Sequence, residues 1–131
     1  VIQQRTKDKE SKEEEGKYKS YKSEEEQIKF RNAIEEFNQL TALDSIDIAT
    51  INFYKANAYL ELKKYENAKD YFSQASQNKE WENESFWYLA LISIKLNDKD
   101  SALNYLKKLE NQSYKRKEVE DLMNILNYMI L

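Results

Sequence analysis

The chain has 131 residues, with no histidine, no cysteine, no proline and a single glycine, Gly16. Without histidine or cysteine there is no imidazole base, thiolate nucleophile, zinc site or disulfide framework, and one glycine cannot build a phosphate-binding loop. A net charge of −3, from 21 basic and 24 acidic residues, argues against binding to nucleic-acid phosphates or to an anionic membrane. The composition therefore predicts a protein without catalysis, cofactor or metal, which acts by binding.

Residues 1–22 differ from the rest because their sizeable apolar residues are limited to Val1, Ile2, Tyr18 and Tyr21. Such a segment buries too little surface to offset its ordering entropy, so we predict a charged tail or frayed helix there and one helical domain over residues 23–131. The chain begins with Val1 instead of methionine, and we interpret it as a fragment or processed product. An upstream signal or anchor would make the protein extracytoplasmic, and the alternative is a cytoplasmic protein.

Apolar residues recur every three to four positions from residue 30 onward, which predicts helices that no proline interrupts. The first apolar stripe ends at Leu40. A second helix is expected after a break in which Ser45 or Asp47 is the N-cap, and it ends at a turn formed by Lys63 and Lys64. Short helices joined by such turns pack as antiparallel hairpins.

Four further helices are expected after the second. The third is expected to run from Tyr65 to near Asn78, where asparagine would provide a left-handed C-cap. The fourth, at about residues 83–96, is apolar on nearly every side and should be contacted from several directions. A fifth helix follows the turn at residues 97–98, and Ser113 is the candidate cap of a final amphipathic helix. The predicted fold is all-α.

The sequence repeats itself at an offset of 34 residues, which aligns residues 59–68 with residues 93–102. The same offset pairs small residues with small ones and large with large: Ala56 with Ala90, Ala68 with Ala102, and Phe72 with Leu106. A weaker copy precedes these at an offset of 35, where residues 33–37 match residues 68–72. Small residues at matched positions let two helices approach closely, while the large ones fill the space between helices.

This pattern resembles the tetratricopeptide repeat, a helix–turn–helix unit of 34 residues. The resemblance implies antiparallel hairpins stacked as a short right-handed solenoid, with clear repeats at residues 49–82 and 83–112 and a half-repeat or cap at each end. The chain departs from the family pattern at the turn glycine, which is Lys63 or Asn97, and at Lys55, where a leucine is usual. An ordinary helical bundle with two similar hairpins is the alternative interpretation.

In proteins similar to this one, the first helix of each hairpin lines a concave groove that holds a peptide or a partner helix. The resemblance therefore implies a non-catalytic scaffold or adaptor. Carried onto this chain, the groove would comprise Phe53, Asn57, Leu60, Trp87, Leu91, Ile94, Lys95, Ile125 and Tyr128. Aromatic residues are enriched in binding hot spots. The alternative is that Phe53, Trp87 and Tyr128 pack in the core or lie under the N-terminal helix.

The expected partner is a protein or peptide, with no nucleic acid and no membrane contact by the folded part. A carboxylate clamp is not expected, because Phe53 stands where relatives with that clamp place its first lysine. A second hypothesis is a self-associating structural domain, tethered to a membrane through a segment upstream of residue 1. In that case the apolar final helix, residues 119–131, would pair with a second copy to form a homodimer.

Overall fold

The computed structural model describes residues 23–40 and 47–129, and this part of the chain is all-α, as predicted. It contains six helices in chain order: α1 (Glu24–Leu40), α2 (Ile48–Glu61), α3 (Tyr65–Ala75), α4 (Glu82–Lys95), α5 (Lys99–Leu109) and α6 (Arg116–Tyr128). The predicted tail at residues 1–22, the alternative cap Ser45 and the last two residues of the predicted final helix lie outside the described residues. Among the described helices, none is both long and apolar enough to cross a bilayer.

Each helix packs against its neighbours in the sequence, and the most extensive contacts join α2 to α3 and α4 to α5. These two pairs are the predicted hairpins. The alanines at their crossing positions, Ala56, Ala68, Ala90 and Ala102, are completely inaccessible to solvent. Close approach at these small residues is therefore confirmed, and it lets the larger side chains on either side interlock.

The core consists of two clusters that meet at α4. The first joins buried residues of α2, α3 and α4: Phe53, Ala56, Ala68, Phe72, Ala75, Leu89 and Ile92. The second joins buried residues of α4, α5 and α6: Ala90, Ala102, Leu106, Leu109, Val119 and Leu126. Because α4 contributes to both clusters, its apolar residues are needed on more than one side, as its sequence predicted.

The two hairpin turns place Lys63 and Asn97 in the left-handed region, with φ of 58° and 59°. At the end of α2, the Lys64 amide donates to the Tyr59 carbonyl and the Lys63 amide to the Leu60 carbonyl, each at 2.9 Å. The same pair of bonds recurs at the end of α4. This is the Schellman geometry, which favours glycine at the left-handed position. Lys63 and Asn97 thus adopt the left-handed conformation without being glycine.

Asp47 is confirmed as the N-cap of α2. Its Oδ1 accepts from the backbone N–H groups of Ala49 and Thr50 at 3.1 and 3.3 Å. Its Oδ2 accepts from the Thr50 hydroxyl at 2.7 Å. Asp98 caps α5 in a similar way, accepting from the Ser101 amide at 3.1 Å. These bonds satisfy amides that have no partner within the first turn of a helix.

Two other predicted caps are wrong. The α3 helix ends at Ala75 with a right-handed C-cap, and Asn78 instead accepts from the Glu80 amide through its side chain, which is an Asx turn. The N-cap of α6 is Lys115, with φ of 46°, and not Ser113. In both loops the side chain that looked like a cap is two or three residues from the position where the backbone actually changes direction.

Left-handed lysine is unfavourable by roughly 1–2 kcal/mol relative to a right-handed conformation, because its Cβ crowds the following carbonyl oxygen. We expect Lys63→Gly to raise the free energy of unfolding by about 1 kcal/mol in a urea titration. Asn97→Gly should gain less, since asparagine tolerates this conformation better. The control is Lys64→Gly, at a residue with φ of −90°. An equal gain at both lysines would contradict the assignment of strain to Lys63.

The hydrogen bonds at the helix caps hold the pKa of two carboxyl groups below their ordinary value of 3.8. For Asp47 the largest cause is the Thr50 hydroxyl, and for Asp98 it is the Ser101 side chain. A pKa lowered by folding contributes stability above the unfolded value, and this contribution is lost as pH falls through the folded value. The free energy of unfolding should therefore drop below about pH 4.

Urea titrations of the wild type and of the double variant Asp47→Asn, Asp98→Asn, at several pH values from about 5 down to about 2.5, test this prediction. The double variant should lose less stability over that range, because asparagine does not titrate. Parallel pH profiles for the two proteins would contradict the role of these two carboxylates.

Candidate functional site

A groove lies between the C-terminal ends of α2 and α4, with a volume of about 250 Å³. It is lined by Leu60, Glu61, Lys63, Tyr65, Tyr88, Leu91, Ile92 and Lys95. We call it the α2/α4 groove. Most of its exposed lining is apolar, and the charged members, Glu61, Lys63 and Lys95, give its edge both signs of charge. Such a surface suits the apolar side chains and polar backbone of a peptide.

The floor of the α2/α4 groove is held in place by aromatic packing below it. The Tyr88 ring stacks on Phe72 with 5.0 Å between centroids and an angle of 14°. Phe72 is completely buried, and Ile92 is 1% exposed. A floor attached to the core in this way is formed before any ligand arrives, which reduces the entropic cost of binding.

Phe53 is not available as an open groove residue, because it is 5% exposed. Its ring stacks on Trp81 at 4.3 Å and packs edge-on against Phe72 at 5.6 Å. The Trp81 indole N–H donates to the Thr50 hydroxyl oxygen at 2.9 Å, which fixes the indole over Phe53. The expectation of Phe53 as a groove aromatic is therefore corrected: it packs in the core, as the alternative interpretation held.

Trp81 is the residue that sequence reasoning missed. It lies in the connection between α3 and α4, one residue before α4 begins. Helical periodicity could not identify Trp81, because the residues around it belong neither to the apolar stripe of α3 nor to that of α4.

Trp87 and Ile94 are half-buried and pack against the second core cluster. The Lys115 ammonium lies 5.6 Å from the Trp87 ring and 5.7 Å from the Tyr114 ring. Burial raises the pKa of Tyr114 to about 12, and the nearby Glu84 and Tyr88 add to this, so the phenol stays protonated near neutral pH. Trp87 is therefore partly covered by the second core cluster and by Lys115.

The remaining predicted residues are divided between two other places. Asn57 lines a recess between α1 and α2, and its side-chain amide donates to the Phe53 carbonyl at 3.0 Å. Ile125 and Tyr128 lie on α6, where they are 56% and 88% exposed, and they are not part of the lining of the α2/α4 groove. Of the nine predicted residues, Leu60, Leu91 and Lys95 line that groove.

Lys55 stands where the sequence resemblance implied a leucine, and it is nevertheless 7% exposed. Its ammonium lies 4.2 Å from the centroid of the Tyr71 ring, whose face attracts a cation. Tyr71 in turn stacks on Tyr59 at 5.5 Å. The aliphatic stem therefore fills the place of leucine while the charge is stabilised by an aromatic face. In the described part of the chain, no group of three or more acidic side chains is arranged to hold a metal ion.

The burial of Phe53 gives a prediction that separates core from groove. Phe53→Ala should lower the free energy of unfolding by about 3 kcal/mol, since a buried aromatic ring is lost. Trp81→Phe keeps a ring over Phe53 but loses the hydrogen bond to Thr50, and should cost about 1 kcal/mol. The control, Tyr128→Ala, should change stability by less than about 0.5 kcal/mol. If Phe53→Ala had the same free energy of unfolding in urea as the wild type, the conclusion that Phe53 packs in the core would be wrong.

Residues 49–80 match the family model of the tetratricopeptide repeat. The match covers α2, the turn at Lys63, α3 and most of the connection to α4, and it begins where the first clear repeat was predicted. Comparisons with curated proteins and with solved structures find no match to this chain. The matched repeat and the six helices packed in sequence order fit a protein built from tetratricopeptide-like repeats.

Proposed function

We propose that this protein is a non-catalytic scaffold that binds a peptide or helix of a partner protein in the α2/α4 groove. Tetratricopeptide repeats generally mediate protein–protein interactions, which gives the class of function. The observation that supports this particular groove is its apolar lining, attached to the core and bordered by charges of both signs. No substrate or cofactor is required.

The geometry of the groove suggests how a ligand would be recognised. Apolar side chains of the ligand would enter between Leu60 on α2 and Leu91 on α4, above the ring of Tyr88. Polar groups of the ligand would remain at the edge, where Glu61 and Lys95 can accept or donate hydrogen bonds. The volume of about 250 Å³ admits individual side chains, and a larger ligand would lie across the opening.

Selection from a phage-displayed library of random peptides, followed by calorimetric titration of a selected peptide, tests the proposal. Leu91→Arg places a charge in the apolar groove and should weaken binding at least about tenfold. Ile125→Arg carries the same change on an exposed residue of α6 and should bind as the wild type does. Circular dichroism and urea titration verify that both variants fold.

Unchanged binding to Leu91→Arg would overturn the groove assignment. A loss at Ile125→Arg, accompanied by a change from dimer to monomer in light scattering, would favour the alternative of a self-associating domain. That alternative draws on the exposure of Ile125, Tyr128 and Met129 near the end of α6, at 56%, 88% and 39%.

A further inference from the structure

The aromatic residue Trp87 on α4 is covered differently from its counterpart on α2. At the repeat offset of 34 residues, Phe53 corresponds to Trp87, and Trp81, which covers Phe53, corresponds to Lys115. Trp81 and Lys115 also occupy the same structural position, because they are the N-caps of α4 and α6. The second repeat therefore has a lysine where the first repeat has an indole ring over its aromatic residue.

The two covers differ in how firmly they are held. In the first repeat, Trp81 stacks on Phe53 with 4.3 Å between ring centroids and donates a hydrogen bond to the Thr50 hydroxyl. In the second repeat, Lys115 Nζ lies 5.6 Å from the Trp87 ring, near the outer limit of about 6 Å for a cation–π contact. Lys115 is exposed, and within the described residues no hydrogen bond or ion pair holds its ammonium. Trp87 is therefore covered only loosely by a cation.

Two aromatic faces and a carboxylate lie close to this cation. Lys115 Nζ lies 5.7 Å from the Tyr114 ring, so the same ammonium faces two rings. Glu84 has the repeat position of Thr50, the residue that anchors Trp81 in the first repeat. Its charge acts on Tyr114: burial, and after it the charge of Glu84, raises the pKa of the phenol to about 12. Aromatic faces and carboxylates both attract cations.

The Glu84 carboxylate is half-buried, and in the part of the chain that the structure describes it forms no ion pair with Lys115 or any other residue. A lysine ammonium is a compact point charge, whereas a guanidinium can lie flat on an aromatic face and donate two parallel hydrogen bonds to a carboxylate. The combination of a carboxylate with aromatic faces therefore suits a guanidinium better than the ammonium that now lies there.

We propose that Glu84, Trp87 and Tyr114, which we call the cation site, bind an arginine side chain of a partner protein in place of the Lys115 ammonium. The guanidinium lies against the Trp87 ring and donates to the Glu84 carboxylate, while the Lys115 side chain turns into solvent. Leu91 lies one helical turn after Trp87 on α4, so the cation site adjoins the α2/α4 groove. Delivery of the arginine by a partner segment rests on the function proposed above, whereas the affinity of the cation site for a guanidinium does not.

The probe is N-acetyl-arginine amide, and its control is N-acetyl-citrulline amide, which has nearly the same shape but no charge. Binding is followed by NMR at constant ionic strength through the indole N–H signals of the two tryptophans, which Trp81→Phe assigns. We expect the Trp87 signal to shift saturably with the arginine amide, with a dissociation constant of about 10 mM or lower. The citrulline amide should bind at least about fivefold more weakly.

Three variants test the residues of the cation site and the lysine that competes for it. Glu84→Gln removes the carboxylate and Tyr114→Leu removes one aromatic face, and each should weaken binding of the arginine amide at least about threefold. Lys115→Asn removes the resident cation at a residue with φ of 46°, a conformation that asparagine tolerates. It should tighten binding at least about threefold.

The matched control is Lys108→Asn, because Lys108 Nζ also lies near two rings, 4.8 Å from Phe86 and 5.9 Å from Tyr105. It removes the same charge away from the cation site, so binding at Trp87 should stay within about twofold of the wild type. Circular dichroism and urea titration verify that each variant folds.

Equal binding of the arginine and citrulline amides would overturn the proposal, as would unchanged binding to Glu84→Gln or an equal gain in Lys108→Asn and Lys115→Asn. A gain in Arg5→Gln as large as that in Lys115→Asn would give the cation site to the chain's own N-terminal residues, against the proposal. A dimer in light scattering that Glu84→Gln dissociates would give it to a second copy, also against the proposal.

The outcome is separable from that of the α2/α4 groove. If the arginine amide does not bind, while a selected peptide still loses affinity for Leu91→Arg, the cation site is overturned and the groove assignment stands. If the arginine amide binds as expected and Leu91→Arg has no effect on the selected peptide, the groove assignment fails and the cation site is supported.

Discussion

Close contact between helices at four alanines is the constraint on which the structure depends. Ala56, Ala68, Ala90 and Ala102 have no solvent exposure, and their small side chains allow the helices of each hairpin to pack closely. At that separation Phe72 and Leu106 are completely enclosed. Short turns join the two helices of each hairpin and reverse the direction of the backbone. That reversal requires a left-handed residue, supplied here by Lys63 and Asn97.

Aromatic packing decides which surface of this framework is open. The indole of Trp81 covers Phe53, and the hydrogen bond from its N–H to Thr50 connects it to the cap of α2 at Asp47. The N-terminal half of α2 is thereby closed on this side. Its C-terminal half remains open beside Leu91 and Lys95, so the accessible groove lies nearer the hairpin turns than the family resemblance implied.

The two ends of the helical stack differ in chemistry. Stacked repeats expose an apolar face wherever the stacking stops, unless the terminal helix carries polar residues there. At the C-terminal end, Glu120, Asn124 and Asn127 of α6 present a polar face to solvent. At the other end, Ala33 and Phe37 of α1 leave an apolar recess next to Tyr54. The polar face of α6 lies beside the exposed apolar side chains of Ile125 and Tyr128.

The helices, the short turns and the buried alanines could be predicted from the sequence alone, which also narrowed the N-cap of α2 to Ser45 or Asp47. Each is a local or strictly periodic feature, set by spacing along one helix or by one side chain reaching its own backbone. The caps at Asn78 and Ser113 could not be predicted in this way, because loop packing chooses the residue at which the backbone turns. The 34-residue offset likewise predicted which residues occupy equivalent positions, and the family match over residues 49–80 agrees with it.

Which of the predicted groove residues are exposed depends on how the helices pack, and the sequence could not predict this. Phe53 and Leu91 lie on the same kind of helix stripe, yet one is buried beneath Trp81 and the other lines an open groove. Periodicity identifies the face of a helix on which a residue lies, but not what covers that face. Here the cover came from a tryptophan in a connecting loop, 28 positions after Phe53, and its contact with that ring exists only once α2 and α4 are packed together.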